Sequence, residues 1–357
     1  MSVVPIGVFA FGTSPIEHMG MERVRALLAE ASLQGAELVF FSTTNCHLGS
    51  GEISATRWTW SGWESGPSDL PALVTIITNP ITERHRQIDT WLRKNTRIVG
   101  FHNHDKLELA ALIQVSPWAD YVIPHARLCK ETLREELTEW LRDGPTVVKP
   151  IDGMRGSGIH FAIPDGVEWV LTRGDARWKG SLTDTVARLE ANIRGRMGYR
   201  DYLAQRFIDT RDASGRVTGI RVDIARLPEG GWSPYRFTAR VAGAGKMVSN
   251  LMAGGAQQLI EPFLAERKVR AGDEIRDEAI SLAEGVADAL NLAPGIEPNF
   301  EYGVDILIDR QDRLWFVEAN GQPQGTWQEH PRAVLVIAYL LHLAGEPVSQ
   351  GAKSHSQ

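Results

Sequence analysis

The sequence predicts a parallel α/β domain followed by a region of the α+β type. Over about the first 120 residues, apolar strand candidates alternate with helical patterns, which is typical of a parallel sheet covered by helices. Farther along, three strand candidates follow one another at 202–208, 219–227 and 234–242 without a helical pattern between them. Consecutive strands favour an antiparallel sheet, so we expect α/β and α+β parts in one chain.

The elements of the first part rest on local hydrophobic patterns. Apolar residues between 24 and 31 recur every three or four positions, which predicts an amphipathic helix. Residues 44–70 are rich in Gly, Ser and Trp, and we expect a loop packed on the core, with a substrate or partner surface as the alternative. The other elements predicted here are strands at 3–11, 37–43, 74–78 and 98–100 and helices at 82–93 and 105–114.

In the second part, helices are expected between and after groups of strands. A Gly-rich turn separates strand candidates at 146–149 and 158–163, and the polar tail from about residue 346 is expected to be disordered. The remaining predicted elements are helices at 131–142, 182–196, 274–290 and 331–343 and strands at 304–308 and 314–319.

Composition limits the classes of partner. The chain has 38 Lys and Arg against 44 Asp and Glu, a formal net charge of −6, which argues against nucleic acid or an anionic membrane as a partner. Cys46 and Cys129 lie far apart and form no CxxC pair, so we interpret them as reduced thiols of a cytoplasmic protein. No apolar run approaches the ~18 residues that a transmembrane helix needs, so none is predicted.

The segment 303–320 predicts an acidic β-hairpin. Two apolar runs flank residues 310–313, which places the turn between Gln311 and Asp312. Facing residues of a hairpin have a constant index sum, so Asp305 is expected opposite Glu318, with Asn320 on the same face. The other face is expected to be core and comprises Val304, Ile306, Ile308, Trp315, Val317 and Ala319.

Asp305, Glu318 and Asn320 are candidate metal ligands. Facing carboxylates repel each other, and a divalent cation between them would remove the repulsion. Carboxylate and carboxamide oxygens are hard ligands that suit Mg²⁺, and a carboxylate shared by two ions is also compatible with this pattern. The alternative is the solvated acidic face of an ordinary hairpin.

Lys149 ends a strand and is followed by a Gly-rich segment, 153–158, and then by another strand. The order differs from a P-loop, in which the lysine follows the glycines, and from a dinucleotide-binding turn, which a helix follows. Strand, Gly-rich turn and strand describe a flexible flap whose backbone N–H groups can approach phosphate oxygens. Lys149 would add a positive charge, and Arg155 and Ser157 would add donors.

These two segments together resemble the ATP-grasp superfamily of carboxylate–amine ligases, and within it the YheC/YheD group, which is named for endospore coat association. The residues that carry the resemblance are 104–106, 147–158, 204–208, 238–240, 248–250, Gly254, Gly255 and 302–323. The resemblance implies a pre-ATP-grasp α/β domain over 1–124 and an ATP-grasp small subdomain with the flap over 125–204. A C-terminal subdomain with the metal hairpin would cover 205–345, and 346–357 would be the disordered tail.

The resemblance also implies roles for individual residues. Lys149 and Lys106 resemble the two phosphate lysines, and Arg221, Arg240 and Asn250 resemble the polar groups near the transferred phosphoryl and the acyl substrate. The group often has an Asp two residues before this first arginine, where Gly219 stands here, so Asp209 or Asp212 would be an alternative ribose contact. The flap residues are Gly153, Arg155, Gly156, Ser157 and Gly158, the strand beside adenine is Gln205, Arg206, Phe207 and Ile208, and the magnesium ligands are Asp305, Glu318 and Asn320.

The function implied by the resemblance is an ATP- and Mg²⁺-dependent, ADP-forming ligase. It would join a small-molecule carboxylate to an amine through an acyl phosphate, with an amino acid or peptide as substrate and two Mg²⁺ ions in the site. A cytoplasmic protein with possible spore association is implied. Two alternatives stay open: a nucleotide-binding spore-coat assembly factor without turnover, and an ATP-dependent phosphotransferase.

Overall fold

The computed structural model describes residues 3–48, 50–100, 105–153, 157–249, 254–267, 269–292, 299–323, 325 and 327–345. The described residues form three sheets. The tail 346–357, for which disorder is predicted, lies outside the described residues. Among the helices of the described ranges, none combines the length and the hydropathy that crossing a bilayer requires.

The first sheet has a parallel centre, as the alternation of strands and helices predicts. Its elements are β1 (Val4–Ala10), α1 (Pro15–Met19), α2 (Met21–Gln34), β2 (Ala36–Ser42), β3 (Cys46–His47), β4 (Glu52–Thr59), β5 (Gly62–Ser68), β6 (Leu73–Ile76), α3 (Glu83–Asn95) and β7 (Arg97–Val99). β1 pairs in parallel with β2 and β6, and β6 pairs in parallel with β7. Val24, Leu27 and Ala31 of α2 are buried against this sheet, on the face that the helical spacing predicts.

The segment 44–70 contains a β-hairpin, so the prediction of a loop there is wrong. β4 and β5 pair along their whole length, and β4 joins β2 at Thr56. The Gly- and Ser-rich composition conceals an alternation in which Ile53 and Ala55 are buried. Trp58 lies opposite Trp63, with ring centroids 5.2 Å apart, and such cross-strand aromatic pairs stabilise a hairpin. Both rings are exposed and do not belong to the core.

The second sheet is antiparallel and carries the flap. Its elements, with the helix that precedes it, are α4 (Lys106–Gln114), β8 (His125–Arg127), α5 (Leu133–Asp143), β9 (Thr146–Pro150), β10 (His160–Asp165), β11 (Glu168–Arg173), β12 (Ala176–Gly180), α6 (Leu182–Ile193) and β13 (Tyr202–Arg206). β9 pairs with β10 across the Gly-rich segment, as predicted, and also with β13. Helices α5 and α6 cover one face of the sheet through a leucine-rich core. Val147, Lys149 and Phe161 line a cavity on the other face.

The third sheet is also antiparallel, as the consecutive strands predict. Its elements are β14 (Thr218–Arg226), β15 (Trp232–Val241), β16 (Ala256–Leu259), α7 (Ile260–Ala265), α8 (Gly272–Asn291), β17 (Glu301–Ile308), β18 (Leu314–Gly321) and α9 (Glu329–Gly345). The strand order is β16-β15-β14-β17-β18, and α8 packs against β14, β17 and β18 in a continuous apolar core. α9 packs against α2, so the C-terminal helix shares the core of the first sheet.

The hairpin β17–β18 has the predicted pairing at its base and a different register at its tip. Asp305 lies opposite Glu318, but the next pair is Ile306 with Phe316. Val317 has no partner on β17 and is the extra residue of a β-bulge. One extra residue moves every following side chain to the opposite face. Phe316 is therefore buried in the core, as is Leu314, whereas Trp315 and Val317 are only half-buried. The core assignment of Trp315 and Val317 is wrong for this reason.

Candidate active site

A cavity of about 220 Å³ lies between the second and third sheets. One part of its wall is apolar and contains two aromatic rings. The other part is charged and brings together three cationic side chains and two carboxylates. The apolar residues include Ile123, Val147, Ile159, Phe161, Phe207, Ile208, Leu307 and Val317, and the charged part consists of Lys106, Lys149, Arg240, Asp305 and Glu318. Arg206 also lines the cavity, within the segment 205–208.

Lys149 is a buried cation on the cavity wall. Its residue is only 6 % exposed, at the centre of the strand row formed by β10, β9 and β13. No hydrogen bond joins its ammonium to another of the described residues. Burial and, to a smaller extent, the charge of Lys106 lower the pKa of Lys149 to about 8, against the opposing effect of Glu318. A buried ammonium without a close acceptor is stabilised when an anion enters the cavity.

Lys106 connects the base of the flap to the acidic hairpin. It is the first residue of α4, whose start is fixed by a capping box between Asp105 and Glu108. Its Nζ donates to the carbonyl oxygen of Gly153 over 2.5 Å and lies 3.6 Å from Oε2 of Glu318. The helix start therefore places a second ammonium on the wall that carries Lys149.

The described part of the flap borders the same cavity. Gly153 and Ser157 line it, whereas Arg155 and Gly156 lie outside the described residues. Gly158 has a φ of +76°, which a side chain would strain, and a Cβ at that position would lie 3.2 Å from Cγ of Pro150. The glycine at 158 is thus required by the backbone that returns from the flap into β10.

The segment 205–208 lines the apolar part of the cavity. The Phe207 ring meets the Phe161 ring edge-to-face, with centroids 6.2 Å apart. The amides of Arg206 and Phe207 donate to carbonyl oxygens of Pro124 and Pro145, each over 2.9 Å. The guanidinium of Arg206 pairs with the exposed side chain of Asp143, so the interaction of this arginine is with the outer surface.

The paired carboxylates of β17 and β18 differ in their protonation behaviour. Burial and the neighbouring Glu318 raise the pKa of Asp305, against the effect of Arg221 and Arg240. Burial also opposes ionisation of Glu318, but the charges of Lys106 and Lys149 outweigh it and lower the pKa of that carboxyl. Two interacting carboxylates whose pKa values move apart are the expected result of mutual repulsion in one site.

The two predicted arginines occupy different places. Arg240 lines the cavity and donates from Nη1 to Oδ1 of Asp305 over 3.0 Å. Arg221 is buried beneath the hairpin and donates from Nη1 to Oδ2 of the same carboxylate over 2.7 Å. Asn250 lies outside the described residues. Each oxygen of Asp305 therefore receives a guanidinium, one from the cavity side and one from the interior.

The sequence analysis missed Asp223, which accepts a hydrogen bond from Nε of Arg221 over 2.7 Å in the interior. The local signal was available: an acidic residue two positions after Arg221 in an otherwise apolar strand lies on the same face of that strand. Opposite charges at this spacing in a buried strand favour an ion pair.

The donor set of the hairpin fits a hard divalent cation. No cluster of three or more His, Cys, Asp or Glu side chains forms among the residues that the structure describes. A third protein ligand beside Asp305 and Glu318 would therefore be the carboxamide of Asn320, whose Nδ2 already donates to Oε1 of Glu318 over 3.3 Å. Two carboxylates and an amide oxygen match the preference of Mg²⁺, and the repulsion within the pair is what such an ion would relieve.

Comparisons with known proteins agree with this architecture. Endospore coat-associated protein YheD of Bacillus subtilis (strain 168) is 22 % identical over 348 residues, which cover 91 % of this chain and 74 % of that protein. The crystal structure of D-cycloserine synthetase DcsG aligns with a TM-score of 0.53 at 15 % identity, over 95 % of this chain and 98 % of that one. D-alanyl-alanine synthetase A of Vibrio cholerae aligns with a TM-score of 0.51 at 12 % identity, over 96 % and 97 %.

The predicted ATP-grasp fold is confirmed by these solved structures, which at such low identity bear on the fold alone. A family model described as YheC/D like ATP-grasp matches residues 95–342, which is more than half of the chain. The two sequence segments on which the resemblance was based, the flap and the acidic hairpin, both lie within the matched range. The chain belongs to the YheC/D-like ATP-grasp family.

Proposed function

We propose that this protein is an ATP- and Mg²⁺-dependent, ADP-forming ligase that joins a carboxylate to an amine, with an amino acid or peptide as substrate. The observation that carries the proposal is the division of the cavity wall. Aromatic and aliphatic side chains lie in one part, and two lysines and an arginine face two carboxylates in the other. A nucleotide has the same division, because its base is an aromatic ring whose faces pack on apolar side chains, whereas its phosphates are charged.

The nucleotide would bind with its base in the apolar part of the cavity. Phe161 and Phe207 provide the rings beside which the base would pack. The amides of Arg206 and Phe207 are engaged within the fold, so we propose that the peptide group of Ile208 hydrogen-bonds to the edge of the base. The phosphates would then face Lys149, whose ammonium lacks a close acceptor among the described residues.

The charged residues would stabilise the transferred phosphoryl group. Asp305, Glu318 and Asn320 would hold Mg²⁺, which when bound neutralises phosphate charge, and two ions are compatible with shared carboxylates. Arg240 lines the cavity beside Asp305 and would neutralise charge on the phosphoryl group as it moves to the substrate carboxylate. The flap would close over the site and exclude water, which protects an acyl phosphate until the amine attacks.

ADP release tests this proposal directly. The purified protein is supplied with ATP and Mg²⁺ and with pairs drawn from a panel of amino acids and dipeptides, and the products are identified by mass spectrometry. We expect ADP to form only with a competent pair, together with a product whose mass is the sum of the pair less one water. A phosphorylated substrate would establish a phosphotransferase instead, and ATP binding without ADP release for any pair would favour an assembly factor without turnover.

ATP affinity should weaken about tenfold between pH 7 and pH 9. The pKa of Lys149 in the ligand-free protein is about 8, so its ammonium is mostly protonated at pH 7 and mostly neutral at pH 9. If the phosphates bind the protonated form, binding must take up a proton above pH 8, and affinity falls as pH rises. Calorimetric titration at several pH values measures this, and Lys149→Arg, which stays charged, should show a flat profile. A flat profile for the unmodified protein would contradict the role of Lys149.

A further inference from the structure

Asp223 lies at the centre of a buried chain of charged side chains. It is 0 % exposed, and each of its carboxylate oxygens accepts a hydrogen bond: Oδ1 from Nε of Arg221 over 2.7 Å and Oδ2 from Nε of Arg236 over 2.5 Å. The far end of Arg221 contacts Asp305, and the far end of Arg236 donates to the carbonyl oxygen of Trp327 over 2.8 Å. One carboxylate thus links a candidate metal ligand to the segment that follows Asn320.

The segment after Asn320 is held by arginines from the interior. Besides the contact of Arg236, Arg23 of α2 donates to the carbonyl oxygen of Pro323 over 2.6 Å. A Cβ at Gly325 would lie 2.0 Å from Nη1 of Arg236, so the glycine provides the space in which this guanidinium lies. Gln322 has a φ of +50°, which is uncommon for a residue other than glycine, and its side-chain amide donates to the carbonyl oxygen of Ile76 over 2.7 Å.

The signs of the charges alternate along this chain of contacts. It runs from Asp305 through Arg221 and Asp223 to Arg236, whose Nη1 lies 3.6 Å from Glu329. Burying a charge is costly unless it is paired and hydrogen-bonded, so the pairing along this chain favours one orientation of each member. Removing the charge of Asp223 would release both arginines. Asp305 would then lose the support of Arg221, and the chain that follows Asn320 would lose the support of Arg236.

We propose that Asp223 is a positioning residue of this site. Through Arg221 it orients the carboxylate of Asp305, and through Arg236 it fixes the chain that leaves Asn320, so one buried carboxylate sets two of the three candidate magnesium ligands. The inference rests on the proposed function, because it assigns Asp223 to the magnesium requirement of that same reaction.

The test is Asp223→Asn, which keeps the shape of the side chain and removes its charge. We expect the Mg²⁺ concentration for half-maximal ADP release to rise at least tenfold, while ATP affinity measured without Mg²⁺ stays unchanged. Glu301→Gln is the matched control. Glu301 is 1 % exposed on β17 and pairs with Arg332 over 2.6 Å, but among the described residues its carboxylate contacts none of Asp305, Arg221 and Asp223.

The control variant should lose stability and keep its Mg²⁺ requirement. Equal shifts in both variants, or an unchanged requirement in Asp223→Asn, would overturn the inference. Should Asp223→Asn fail to fold, Arg236→Gln removes the guanidinium that joins Asp223 to Trp327 and leaves Arg221 in place. It should raise the Mg²⁺ requirement in the same direction, and an unchanged requirement there would also count against Asp223. If the unmodified protein needs no Mg²⁺ for ATP turnover, the proposed function fails, which is a different result from failure of the variants alone.

Discussion

Replacing Glu318 by glutamine should lower the rate of Mg²⁺-dependent ADP formation by about 1,000-fold. The substitution keeps the volume of the side chain but leaves Asp305 as the one carboxylate of the facing pair. It also removes the negative charge that lies 3.6 Å from the ammonium of Lys106. The affinity for ATP should therefore depend far less on Mg²⁺, while the apolar part of the cavity is untouched.

The measurement compares ADP release and ATP affinity over a range of Mg²⁺ concentrations for the protein and the variant. Glu168→Gln is the control, because Glu168 is an exposed acid on β11 whose partner, Lys179, keeps a second contact with Asp165 over 3.1 Å. Its Mg²⁺ dependence should equal that of the unmodified protein. The same Mg²⁺ dependence in Glu318→Gln would show that the hairpin presents an ordinary acidic face.

The central feature of the site could be predicted from the sequence because it depends on local pairing. In a hairpin the index sum fixes which residues face each other, and the pairing of Asp305 with Glu318 follows from it. The register at the tip of the hairpin could not be predicted, because the bulge at Val317 depends on the hydrogen bonds within the turn. There the carboxylate of Asp309 accepts hydrogen bonds from the amides of Gln311 and Arg313, and Asp312 has a φ of +59°.

The buried contacts of Asp223 and Arg236 could not be predicted from the sequence, for a different reason. Arg236 and Asp223 lie on neighbouring strands and pair face to face, but their register includes a bulge between Asp223 and Ile224. The contact of Arg236 with Trp327 joins residues 91 positions apart. Spacing rules describe neighbours on one strand or one hairpin, so contacts of this range emerge only when the three sheets are assembled.

Gly303 is the position where a single methyl group should disturb the site most. It lies on β17 directly beside Asp223 in the sheet, and the guanidinium of Arg221 passes over it. A Cβ at Gly303 would lie 1.9 Å from Nη2 and 2.3 Å from Cζ of Arg221, so the guanidinium must leave its position. Two buried carboxylates, Asp223 and Asp305, would then lose a cation.

We expect Gly303→Ala to lower the free energy of unfolding by about 3–5 kcal/mol, the range for breaking a buried ion pair. Chemical denaturation measures the change. Gly66→Ala is the control, because a Cβ on that strand residue meets no atom within 4 Å, and its effect should stay within about 0.5 kcal/mol. A loss for Gly303→Ala as small as that of the control would mean that Arg221 is free to move.

A double variant separates the clash from other effects of the methyl group. Arg221→Ala removes the guanidinium and makes room over Gly303, so adding Gly303→Ala to it should cost little further stability. The two substitutions are then strongly non-additive, because both act by removing the same guanidinium from Asp223 and Asp305. Additive losses would place the effect of the methyl group elsewhere on β17 and would contradict the account of Arg221 as the interior support of the Asp305 carboxylate.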